Sequence, residues 1–148
     1  MGMALDDVYT EVLGEHSRNP DHKHKLSCAT CQMKGKNPSC GDEINLELKV
    51  EDGYIKDASF VGIGCAISQA STSIMIDLIK GESVAKARHL ANLFLRMIKR
   101  EELTEDEEEE LDEAFALKNI SNMPARVKCA VLSWHTLEEA FKEAEGIQ

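Results

Sequence analysis

The sequence predicts an α+β fold: a small antiparallel sheet packed against several helices. Two observations predict it. Ile44, Leu46, Leu48 and Val50 alternate with Asn45, Glu47, Lys49 and Glu51, the period of a half-buried strand. Asp52-Gly53 then signals a tight hairpin into a return strand, Tyr54 to Val61. Beyond the hairpin, apolar residues recur at helical spacing in successive stretches, and strands followed by helices is an α+β pattern. A third strand is expected beside the hairpin.

The elements follow in order. Leu5, Val8, Tyr9, Val12 and Leu13 form one face of a helix over Ala4–Ser17, which Asn19-Pro20 ends. Residues 20–39 show no clean period and read as a long loop; it carries His22, His24, Cys28 and Cys31. After the hairpin, Gly62-Ile63-Gly64-Cys65 leaves the sheet. A helix is predicted over about Ala66–Ile79, with Ile67, Ala70, Ile74 and Leu78 inward and Gly81 closing it. Ser83 caps the next helix, to about Lys99, whose stripe is Val84, Ala87, Leu90, Ala91, Phe94, Met97 and Ile98. Thr104 caps a short acidic helix through Leu117, tacked down by Leu103, Leu111, Phe115 and Leu117. Asn119–Met123 is a connector. Pro124 suits the first turn of a last helix with the stripe Val127, Ala130, Val131, Trp134, Leu137 and Phe141.

The 148 residues, 43% of them apolar, fit one domain, 1–148, with a real core. The net charge of −10 belongs to one segment: residues 101–113 hold ten of the 27 acidic residues and no basic one, so the rest of the chain is balanced. This run reads as a solvated face. No basic stripe stands out to neutralise phosphates, so nucleic acid is not an expected partner. No apolar run is long enough to span a bilayer and residues 1–16 lack a signal-peptide layout. A cytoplasmic location is expected, and five cysteines there point to metal or redox chemistry rather than disulfides.

Three cysteines sit at element edges: Cys40 in Asn37-Pro38-Ser39-Cys40-Gly41-Asp42, Cys65 in Gly64-Cys65, and Cys129 in Lys128-Cys129. A single free cysteine is usually buried and inert. Cys129, however, lies two residues from both Val127 and Val131, so helix phase turns it away from their stripe. Cys65 and Cys129 both fall near predicted helix N-termini, where the dipole favours a thiolate. Asp42 should be exposed or paired with a cation, because a buried unpaired carboxylate is costly. Three thiolates and a carboxylate suit Zn²⁺ or iron–sulfur chemistry.

Pro38-Ser39-Cys40-Gly41-Asp42, Gly64-Cys65-Ala66-Ile67-Ser68 and Pro124-Ala125-Arg126-Val127-Lys128-Cys129 together resemble the SufU/IscU family of iron–sulfur cluster assembly proteins, NifU N-terminal-like in fold. The likeness covers nearly the whole chain. It is greatest to the SufU branch, because Lys128 stands where the IscU branch has histidine and because residues of roughly 100–118 form an insertion of the SufU kind. The resemblance implies a SufE/NifU-like α+β fold and a tightly bound zinc held by Cys40, Asp42, Cys65 and Cys129. It also implies sulfur acceptance by Cys40 from a cysteine desulfurase (SufS-like), with Arg126 and Lys128 beside the site. Delivery would be to SufBCD-type machinery or apo iron–sulfur proteins. The alternative is a scaffold that holds a transient [2Fe–2S] cluster. A metal-bound thiolate is hindered as a nucleophile, so the desulfurase is expected to supply a substitute ligand. Cys28-Ala29-Thr30-Cys31 and the His22/His24 pair fall outside the family pattern. The two cysteines read as reduced, exposed thiols, against an auxiliary metal site or a relay onward from Cys40.

Overall fold

The computed structural model describes residues 14, 26, 30–37 and 41–146. The expected N-terminal helix lies outside the described residues, apart from Gly14, which is helical. Three strands, β1 (Cys31–Asn37), β2 (Asp42–Glu51) and β3 (Tyr54–Ile63), precede the helices α1 (Ala66–Ile79), α2 (Val84–Ile98) and α3 (Glu105–Leu111). A 3₁₀ segment (Asp112–Asn122) and α4 (Pro124–Gly146) complete the chain.

The sheet is antiparallel in the order β1-β2-β3. Asp52 and Gly53 both take positive φ, 55° and 80°, as a two-residue turn matched to strand twist requires. The register sets Leu46 opposite Phe60 and Leu48 opposite Ala58, and these four with Ile44 and Ile55 are buried on one face. The expected third strand is β1, inside the stretch read as a long loop. Its inward positions Cys31, Met33, Gly35 and Asn37 alternate with exposed Gln32, Lys34 and Lys36. A glycine, an asparagine and one methionine make a weak apolar face, so the period is present but faint to a hydrophobicity reading.

α4 lies against β1 and β2 on one side and α1 and α2 on the other. Trp134 stacks on Phe94 of α2, with ring centroids 4.2 Å apart and planes within 11°. Its Nε1–H donates to Ser71 Oγ at 3.0 Å, and that hydroxyl donates to the Ala130 carbonyl at 2.6 Å. The chain of bonds explains a serine deep in α1, since a buried indole N–H needs an acceptor. Because α1 is enclosed, it is buried almost all round, Ser68, Thr72 and Ser73 included, whereas the expected inward residue Leu78 is only partly buried.

Ser83 caps α2 by accepting from Lys86 N at 3.0 Å. Thr104 and Glu107 form a reciprocal capping box on α3. That helix ends at Leu111 rather than Leu117, and the chain continues as 3₁₀ turns through the residues read as a connector. Leu111 and Leu117 are buried, and Leu103 and Phe115 pack against the core, so the insertion is tacked down where expected. Its acidic face is only partly a solvated one. Lys86 and His89 meet Glu110 at 2.7 and 3.1 Å, and Arg96 meets Glu107 at 3.2 Å, tying α3 to α2. The Thr104 backbone N–H, with Arg96 nearby, holds Glu107 below the usual carboxylate range; hydrogen bonds from Lys86 and His89 do the same for Glu110.

Candidate metal centre at the end of the sheet

Strand register builds the site. Asn37 pairs with Asp42 across β1–β2, and Glu43 pairs with Ile63 across β2–β3. Asp42, the first residue of β2, therefore lies beside Gly64-Cys65, where the chain leaves β3. Cys65 is the N-cap of α1, its sulfur accepting from Ser68 N at 3.5 Å. Cys129 comes from the second turn of α4. One ligand atom from each of Asp42, Cys65 and Cys129 lies within 4.8 Å of the others.

The site is enclosed. Asp42 is 2% exposed and Cys129 1%. The Cys129 value revises the sequence reading, and the Asp42 value excludes only the exposed one of its two expected positions. Cys129 does turn off the Val127 stripe, but α4 has neighbours on two sides and the second side buries it. Asp42 takes neither an exposed position nor a cationic side chain among the described residues. Its Oδ1 accepts from Cys65 N at 2.9 Å and its Oδ2 lies 3.5 Å from Asn37 Nδ2. Among the described residues both donors to it are neutral, and a buried carboxylate so placed favours a cation among these three groups.

Gly64 is present for close approach. A Cβ there would lie 2.7 Å from Asp42 Oδ1 and collide with Ser68 Oγ. The sequence reading missed Asn37 and Ser68. Ser68, three residues after a helix-capping residue, carried a legible signal, because that spacing places its N–H on the cap. Asn37 became visible only through strand pairing.

Cys40, Cys28, His22 and His24 lie outside the described residues. Arg126 and Lys128 are exposed on the first turns of α4, on either side of Val127. Cys31 corrects the expectation of an exposed thiol: it is half-buried, its sulfur 3.4 Å from the Ala140 carbonyl. Burial, with the Glu143 carboxylate adding to it, pushes the Cys31 thiol up. Ala140 is eleven residues beyond Cys129 on α4, about 16 Å along the axis. Cys31 thus stands well along α4 from the Asp42 group.

Comparison with known proteins places this geometry. The family model for the NifU-like N terminal domain matches residues 8–148. The chain belongs to that family. It is 43% identical over 141 residues to the iron–sulfur cluster assembly scaffold protein IscU of Thermotoga maritima, covering 95% of this chain and 97% of that one. It is 38% identical over 142 residues to the zinc-dependent sulfurtransferase SufU of Bacillus subtilis, covering 96% and 95%. The crystal structure of FiSufU from Fervidobacterium islandicum AW-1 superposes with a TM-score of 0.84 at 36% identity, over 90% of this chain and 96% of that one. The α+β architecture is the family's, as the sequence predicted. No helix among the described residues is long and apolar enough to cross a membrane.

Proposed function

We propose that this protein serves iron–sulfur cluster assembly in the cytoplasm as a zinc-dependent sulfur carrier, taking persulfide sulfur from a cysteine desulfurase onto Cys40. It would pass that sulfur to SufBCD-type machinery or to apo iron–sulfur proteins. The observation that carries the reading is the convergence of Asp42, Cys65 and Cys129 within 4.8 Å. Cys40 is two residues before Asp42 in the chain, a Cα separation of at most about 7 Å, which puts a third thiol within reach.

The donors fit zinc. Bonds of about 2.0–2.3 Å set tetrahedral donors roughly 3.3–3.8 Å apart, a small contraction of the observed group. Bound zinc would keep its thiolates ionised at neutral pH. The chain's own groups prepare the site for negative charge. The Ser68 N–H and the start of α1 face Cys65 Sγ, and the Cys65 N–H holds the Asp42 carboxylate. In the transfer, the Cys40 thiolate attacks the outer sulfur of the donor persulfide. A new S–S bond forms on Cys40, the donor S–S bond breaks, and the donor cysteine leaves as a thiolate; no outside oxidant is needed.

Incubation with a cysteine desulfurase and cysteine, followed by mass-spectrometric mapping, should place a persulfide on Cys40 and on no residue of Cys40→Ser. Sulfur acceptance by Cys40→Ser at the wild-type rate would defeat the reading. The scaffold reading is favoured by the Thermotoga maritima and Streptococcus pyogenes relatives, both cluster assembly scaffold proteins by name. Lys128 supports the carrier instead, since a charged lysine is a poor ligand. Anaerobic reconstitution with iron and sulfide, followed by cluster transfer to an acceptor, would support the scaffold.

A further inference from the structure

A groove of about 570 Å³ runs between β1 and α4. Lys34 and Lys36 line it from the strand, and Lys128 and His135 from the helix. All four are exposed, over a half-buried floor that includes Val131 and Leu132. Residues of both strand parities, Lys34 and Lys36 with Gly35 and Asn37, line it. It therefore follows the edge of β1 rather than one face of the sheet. β1 is an edge strand, and among the described residues only β2 pairs with it. Half of an edge strand's backbone N–H and C=O groups point outward, a template for a further strand.

The groove's charge opposes the chain's. Among the described lining residues three lysines face a single glutamate, Glu139, in a protein of net charge −10. Lys36 has Glu43 at 3.9 Å and His135 has Glu138 at 3.4 Å, both loose exposed pairs. Lysines on an edge strand commonly serve to block pairing between copies. Here Lys128, from a second element, converges on the same strip. The strip also reaches the thiol site: Asn37 at one end bonds Asp42, and Lys128 adjoins Cys129.

We propose that this groove binds an acidic, extended segment of the sulfur-donating protein, which adds to β1 as a fourth strand and brings the donor's persulfide to the site. The role given to the segment rests on the sulfur-carrier reading; the binding itself does not. Backbone bonds along Lys34–Asn37 fix four residues of the segment, about 13 Å. The basic walls select acidic side chains.

The test uses the full chain and two labelled octapeptides, one alternating Glu with Val and one alternating Lys with Val. Fluorescence anisotropy at low salt should show binding of the acidic peptide alone. Lys34→Glu/Lys36→Glu should weaken it about tenfold or more, and Lys34→Arg/Lys36→Arg should retain it. In the desulfurase assay, the Glu pair should raise the half-saturating concentration of the chain, leave the maximal rate unchanged and flatten the salt dependence. Far-ultraviolet circular dichroism and zinc content identical to wild type exclude misfolding. Equal binding of both peptides, or equal affinity of the two variants, overturns the proposal. Peptide binding does not require transfer, so a failure of the carrier reading appears separately, as no persulfide on wild-type Cys40.

Discussion

Replacing Asp42 separates its structural part from its metal-holding part. Asp42→Asn keeps an oxygen for the Cys65 N–H bond of 2.9 Å and removes the charge. The new amide faces Asn37 Nδ2, which can rotate to present its oxygen. In chelator-treated protein the change should be small, within about 1 kcal/mol, or 2–4 °C in Tm for a chain of this size. Asp42→Ala instead strips the acceptor from a buried N–H, at about 1–3 kcal/mol. Zinc should then separate wild type from Asp42→Asn. At zinc a thousandfold above Kd, wild type gains about 4.1 kcal/mol. Loss of a supporting group alone costs metal sites about 10–100-fold in affinity, so loss of a ligand should cost Asp42→Asn at least that. A hundredfold loss removes about 2.7 kcal/mol of the gain, so zinc should raise the Tm of Asp42→Asn by roughly 5–11 °C less than that of wild type. Thermal unfolding with and without zinc, and competition against a chromogenic chelator, measure both quantities. Equal zinc affinity for wild type and Asp42→Asn would refute Asp42 as a ligand.

Three further outcomes follow from the same geometry. Gly64→Ala places a methyl group 2.7 Å from Asp42 Oδ1, so zinc affinity should fall at least about tenfold while far-ultraviolet circular dichroism is retained; a chelator titration that matches wild type would count against the close approach. Glu107 and Glu110 are held below the usual carboxylate range, so their contribution is full above that range and is lost as pH falls through and below it. Glu107→Gln/Glu110→Gln should therefore flatten the decline of Tm with acid, and an unchanged slope would show that these contacts do not couple to folding. The Cys31 thiol is pushed up, so its contribution is present at neutral pH and is lost as pH rises through and above the usual thiol range; alkylation of native protein should leave Cys31 largely unmodified at neutral pH, checked by peptide mapping, and rapid labelling there would contradict its burial.

Local chemistry determined much of this protein. The hairpin, the Ser83 and Thr104 caps and the start of α4 at Pro124 each depend on a few adjacent residues whose propensities agree, and each is where the sequence places it. The three cysteine motifs likewise carried the family, because their order and composition survive without any knowledge of packing. Tertiary structure decided the rest. β1 has too weak an apolar face to announce itself and exists because β2 offers it an edge. Cys129 is buried because α4 is covered on two sides, which helix phase cannot reveal from one stripe. The meeting of Asp42, Cys65 and Cys129, with Asn37 behind the carboxylate, depends on strand register and on where α4 begins over the sheet. Contacts between residues 23 to 87 positions apart are set by the packing of whole elements, and no local period encodes them.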